Sequence, residues 1–165
     1  MSGATTKQLV VRGVGPALAS LGVAVALPNP VLTLYDGAGR ALATNDNWGA
    51  TLTPAGVMAG LGAFPWATGS ADAALRGALP PGNYTALLAD AAGNSGTGLV
   101  EIYEDDATSN RLTNLSSRAF VGAGADVGIA GFVVRGQKAA RYLIRGIGPG
   151  LGAFGVAGAL SDPVL

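Results

Sequence analysis

The sequence predicts an all-β fold, an antiparallel β-sandwich of jelly-roll type with about nine short strands and one or two short helical turns. Short apolar or alternating runs recur along the chain, each cut by a strong turn signal. The composition suits thin, closely packed β-layers: 27 glycines, 49% apolar residues drawn largely from alanine and valine, 6% aromatics, and 12% charged residues where about a quarter is usual. Disordered chains are rich in charge and poor in β-branched residues, so the chain is expected to fold, and at 165 residues one core suffices without staples.

The elements follow in order. "KQLVVRG" is the first strand, ended by the glycines of "GVGP". "PALASLG" is a short helix, with Pro16 at its start and Gly22 past its end. "VLTLYDGAGRALAT" is a hairpin with strands Val31 to Tyr35 and Arg40 to Thr44 around a turn at Asp36 to Gly39. "TPAGVMAGLGAF" is a loop with one helical turn, and "DAALRGAL" a strand reversed into "YTALLAD" by Pro80, Pro81 and Gly82. In "GLVEIYE", Val100 and Ile102 point to one face and Glu101 and Tyr103 to the other. "RLTNLSSRAFV" and then "GIAGFVVRG" and "ARYLIRG", joined by "GQKA", complete the strand set.

One segment occurs twice. "VRGVGPALASLGVAVALPNPVL" near the start aligns without a gap with "IRGIGPGLGAFGVAGALSDPVL" at the end, Arg12 with Arg145 and Pro30 with Pro163, and about half the positions are identical. Gly13 and Gly146, and Pro16 and Pro149, hold equivalent places. The spacing exceeds that of solenoid units and matches a whole domain in a tandem array. The expected organisation is a polar tail over 1–6, a sandwich body over 7–139, and a second copy of the 7–32 junction over 140–165, available to a neighbouring subunit or repeat. "MSGATTK" has no apolar core and does not read as a signal peptide.

Several chemistries are excluded or weakened. With no cysteine and no histidine, thiol nucleophiles, Ser-His-Asp triads and typical zinc or copper sites lack their residues. Net charge is zero and the basic residues are scattered, which argues against nucleic acid and anionic membrane surfaces as partners. No apolar run approaches the ~20 residues of a membrane helix, so no membrane insertion is expected. "GVGPAL" and "GIGPGL" resemble phosphate-cradling loops, but no Lys-Ser/Thr follows and proline removes an amide donor. Ser116 and Ser117 have only Lys7 and Lys138 as potential activating bases, and no pair of acids stands in a glycosidase motif.

Four candidate sets remain. Asp36, Asn45, Asp46 and Asn47 form one oxygen-rich group and Glu104, Asp105 and Asp106 another, of the kind calcium accepts, although turn residues also bond their own backbone. No other cofactor is expected. Trp48 and Trp66 are candidates for a sugar-stacking platform or for the cap of the core. Arg12 and Arg145, each ending an apolar strand, need a carboxylate or several carbonyls as partner. In the second copy Tyr142, Leu143, Ile144, Ile147, Leu151, Phe154, Val156 and Leu160 are candidates for a subunit contact.

"RGVGPAL", "ATNDNWG", "GAFPWATGSADAAL", "LPPGNYTALL", "LVEIYE", "RLTNLSSRAFVG" and "IAGFVVRG" together resemble a tandem β-sandwich repeat of large secreted bacterial proteins. More loosely, "LTLYDGAGRALATNDN" with "LPPGNYTALL" is similar to the bacterial pre-peptidase C-terminal domains, accessory sandwiches of secreted peptidases. The resemblance implies an extracellular or cell-surface, non-catalytic module and assigns no catalytic residue. A second copy with no following body suggests a structural block that assembles head to tail into a fibre or surface layer. The other reading is an accessory module that binds polysaccharide or calcium within a larger repeat protein.

Overall fold

In a computed structural model of the chain, which describes residues 5–49, 53–107, 111–124, 126–134, 137 and 139–165, the first apolar run becomes strand β1, Lys7–Val14. β1 is the middle strand of a three-stranded antiparallel sheet, between β4 (Ala73–Leu79) and β6 (Leu99–Glu104). Arg12 lies opposite Ala74 on one side and Glu101 on the other. A strand paired along both edges and covered on both faces calls for a nearly continuous apolar run, and every residue of β1 except Gln8 is buried. Val11 packs with Leu32 and Ala73, while Val14, on the other face, joins Leu18, Trp48, Met58, Ala63, Trp66 and Ala74.

The second sheet is also antiparallel and three-stranded. Its middle strand β2 (Pro30–Asp36) runs between β3 (Ala41–Asn45) and β5 (Tyr84–Asp90). The β2–β3 hairpin is closed by the Asp36 carboxylate, which accepts hydrogen bonds from the amides of Ala38 and Arg40 and from Arg40 Nε. Residues of both sheets meet at Val11, Leu32 and Ala73. Between β3 and β4 along the chain, helix α1 (Ala55–Gly60) begins after Pro54 and buries Met58. A 3-10 helix over Pro16–Leu21 starts on a proline and stops at Gly22, which is left-handed at φ 86°.

The chain is therefore all-β with short helices, but it shows six strands among the described residues where the pattern predicts about nine. "DAALRGAL" and "YTALLAD" do not form a hairpin: Pro80, Pro81 and Gly82 carry the chain from one sheet to the other. The three remaining runs, in "RLTNLSSRAFV", "GIAGFVVRG" and "ARYLIRG", form no strand among the described residues, and Arg135, Gly136 and Lys138 lie outside them. Their residues favour strands, but a lone two-stranded ribbon is marginal in water without a further layer.

The chain divides into two compact units, Met1–Leu115, which holds both sheets, and Ser116–Leu165. In the second, Pro149–Phe154 forms a 3-10 helix and the rings of Phe132 and Tyr142 stand 5.5 Å apart. Among the described residues no helix is long and apolar enough to cross a membrane.

Two turn carboxylates make the first unit acid-sensitive. The amide of Arg40, with that of Ala38 and the Arg40 side chain, holds Asp36 below its ordinary 3.8. Partial desolvation alone would raise Asp90, but hydrogen bonds from the amides of Asn94, Asn29 and Ala92 outweigh it and lower its pKa. A depressed folded-state pKa contributes stability that is present above the unfolded value and lost as pH falls through the folded one. Thermal melts from pH 6 to 2 should therefore show a steeper loss below about pH 4 for the parent than for the Asp36→Asn/Asp90→Asn double variant.

Candidate functional site

The junction segment is the feature that the structure sets apart. In its first copy Arg12 is fully buried. Its guanidinium lies 4.1 Å from the ring centre of Trp66 and 4.6 Å from that of Phe64. Nη2 donates to the Phe64 carbonyl at 2.9 Å, and Nη1 stands 3.0 Å from Glu101 Oε2 without hydrogen-bond alignment, so charge holds that pair. Glu101 Oε1 accepts from the Tyr103 hydroxyl, and burial, with this carboxylate beside it, raises the Tyr103 pKa above its ordinary 10.0.

The turn after β1 is latched by Asp72, also fully buried, just before β4. Its carboxylate accepts from the amides of Gly15 at 2.7 Å and Ala17 at 3.2 Å and from Ser70 Oγ. The glycine loop that resembles a phosphate cradle thus holds an internal carboxylate. Gly15 has no room for a side chain, because a Cβ would stand 2.2 Å from the Leu27 carbonyl oxygen. Gly13 is likewise closed in, by Leu88 at 2.5 Å.

The second copy repeats this conformation in detail. Gly148 (φ −116°, ψ −88°) matches Gly15 (φ −133°, ψ −85°), and Gly155, left-handed at φ 74°, matches Gly22. Leu151 donates to Gly148 at 3.0 Å and Val156 to Leu151 at 3.3 Å, as Leu18 does to Gly15 at 2.9 Å and Val23 to Leu18 at 3.2 Å. A Cβ on Gly148 would meet the Leu160 carbonyl at 2.1 Å, the counterpart of Leu27, and Gly146 packs on Leu165. Pro149 opens its helix as Pro16 does.

The surroundings differ completely. Val10 is 0% exposed and its counterpart Leu143 86%, while Val14 is 0% and Ile147 46%. Tyr142, Ile144, Phe154 and Leu160 are exposed, Leu151 and Val156 half-buried. Arg145 is exposed and, among the described residues, has no ion-pair partner. The turn geometry is therefore local, set by the glycines and prolines, whereas the burial of the first copy comes from β4, β6 and the Trp48–Trp66 cluster.

The other candidates resolve differently. Asp36 and Asn45 do not come together: they sit at opposite ends of the hairpin, and four residues of strand separate them by about 13 Å. Asn45 Oδ1 accepts from the Ala74 amide, and its amide group donates to Asn47. Asp46 joins no cluster of ligating groups among the described residues. Glu104 and Asp106 flank the buried ammonium of Lys7, at 3.3 and 2.7 Å, and Asp105 pairs with Arg76 at 2.6 Å. Among the described residues no group of three or more such side chains converges as a metal site.

Trp48 and Trp66 pack edge to face, 5.6 Å apart, and both are buried, so they are core and no platform. The adjoining hollow is lined besides by Ala55, Met58, Ala59, Ala63 and Pro65, so among the described residues only apolar side chains join the two tryptophans there. Ser116 and Ser117 are exposed, Lys7 is committed to its carboxylates, and Lys138 lies outside the described residues.

Asp72 and the Lys7 cage escape a reading of the sequence. Asp72 stands 57 residues from Gly15 and Asp106 stands 99 from Lys7, and no local pattern joins them. The one hint is a lone acid between small residues in "GSADAAL", immediately before a strand. No protein-family model matches this chain, and neither a curated protein nor a solved structure matches it.

The two arginines provide a direct comparison. Arg12→Ala strips Glu101 of its buried partner and should destabilise the first unit by about 3–5 kcal/mol. Arg145→Ala, at an exposed position, should stay within about 0.5 kcal/mol of the parent. Urea denaturation followed by tryptophan fluorescence reads both, since Trp48 and Trp66 report on the core around Arg12.

Proposed function

We propose that the chain is a non-catalytic structural building block of an extracellular fibre or surface layer, a β-sandwich module that assembles head to tail through its duplicated terminal segments. One observation carries this reading: residues 142–147 are exposed where their counterparts 9–14 are buried, and they lead into a turn already folded as in the buried copy. An apolar surface of this kind, with an arginine in its midst, suits a protein contact better than water. The contact surface differs from the surface that receives it, so it is heterologous, and repetition yields filaments unless the rotation closes a ring.

The extracellular placement rests on the resemblance to secreted bacterial repeats. The calcium and polysaccharide reading finds less support, because the carboxylates are committed to protein donors and the tryptophans to the core.

Electron microscopy and light scattering of the purified chain across a concentration series test the proposal. The parent should form oligomers or fibres above a threshold concentration. A chain ending at Ala139, and the full chain carrying Leu143→Asp and Phe154→Asp, should stay monomeric with the first unit's melt unchanged. Monomers of the parent at every concentration would reject the reading.

A further inference from the structure

The assembly reading leaves open what receives the second copy, and the first copy's own surroundings identify it. We propose that residues 140–155 of one molecule occupy, in a second copy of this chain, the slot between β4 and β6 that β1 fills in the isolated molecule. This inference rests on the assembly reading above and adds the acceptor site.

Three observations converge on that slot. The chemistry of its walls is known, because they already hold a segment of this sequence: Glu101 and the Phe64 carbonyl receive an arginine, and Asp72 receives the amides of a GxGP turn. The second copy brings both, with Arg145 exposed and its turn preformed at Gly148 and Pro149. A preformed turn loses less entropy when it docks.

The slot is also underfilled by its present occupant. Beside Leu9 and Val11 lies a hollow of about 170 Å³, lined further by Leu34, Leu42, Leu75 and Leu79. The second copy carries larger side chains at these two places, Tyr142 for Leu9 and Ile144 for Val11. Leu143 for Val10 and Ile147 for Val14 enlarge the opposite face too.

Insertion displaces residues 7–22 of the acceptor, so the process is a strand exchange between molecules. The resident copy is tethered and acts at an effective concentration in the millimolar range, so exchange is favoured at high protein concentration. The backbone hydrogen bonds along β4 and β6 are conserved in number, and the displaced copy can take the next slot.

The cysteine-free chain allows a direct test. Leu9 is the Cα partner of Gly77, where a side chain meets open space. Full-length Tyr142→Cys and Gly77→Cys molecules, distinguished by mass, are mixed at several hundred micromolar, refolded together and oxidised mildly. Slot exchange sets the thiol introduced on one molecule beside the thiol introduced on the other, so the mixed disulfide should predominate over both symmetric dimers. Adding Arg145→Glu to the first partner sets a carboxylate against Glu101 and should cut the mixed product at least about tenfold, whereas Arg145→Lys should retain more of it. Oligomers that form without the mixed disulfide and ignore Arg145→Glu would overturn the slot while leaving head-to-tail assembly standing. Monomers throughout would overturn both.

Discussion

The first unit depends on β1 being enclosed on both edges and both faces while it carries two cations. Buried charge is costly unless paired, so Lys7 and Arg12 dictate what surrounds them. Their carboxylates come from one stretch, Glu101 and Glu104 on β6 and Asp106 just beyond it. A slip of one residue in the β1–β6 register would turn Glu101 to the face opposite Arg12. The charges thus specify the register that the apolar residues alone, valine following leucine and valine again, would leave loosely defined. On the other edge, Asp72 ties the turn after β1 to the start of β4. Each neighbour of the central strand is anchored to it by an acid.

What could be read from the sequence was what is local. Proline at the start and glycine past the end give the 3-10 helices at Pro16 and Pro149, and the Asp36 turn gives its hairpin, because each geometry is satisfied within a few residues. The need of Arg12 for a carboxylate or carbonyls was legible from its place at the end of an apolar strand, but the identity of Glu101 and Phe64 was not. Those partners are joined by topology alone, as are Asp72 with Gly15 and Asp106 with Lys7. The strand pattern failed after residue 107 for a related reason: β-branched residues fit a pleated surface but do not supply a neighbour. Trp48 and Trp66 show the same limit, since the sequence favours a structural cap over a platform but only their packing with Arg12 and Met58 shows what they touch.

The duplication changes how the exposed residues of the second unit are understood. Scattered surface leucines need no explanation. Residues 142–147 are different, because each is exposed where its counterpart among residues 9–14 is buried. Gly15, Pro16 and Gly22 recur as Gly148, Pro149 and Gly155, so the second copy keeps the same turn in different surroundings.

In the proposed exchange the copies would not be equivalent as occupants of the slot, and the differences act in opposite directions. The first begins with Lys7, whose ammonium lies between Glu104 and Asp106; the second has Ala140 there and brings no such ammonium. The second fills the hollow beside β1 with Tyr142 and Ile144, where the first leaves it open. The Lys7 ammonium is buried and little screened by salt, so its pairing favours the first copy, while the added apolar volume favours the second. Under that proposal the preference between the two copies rests on one lysine at the start of the first against the larger side chains of the second.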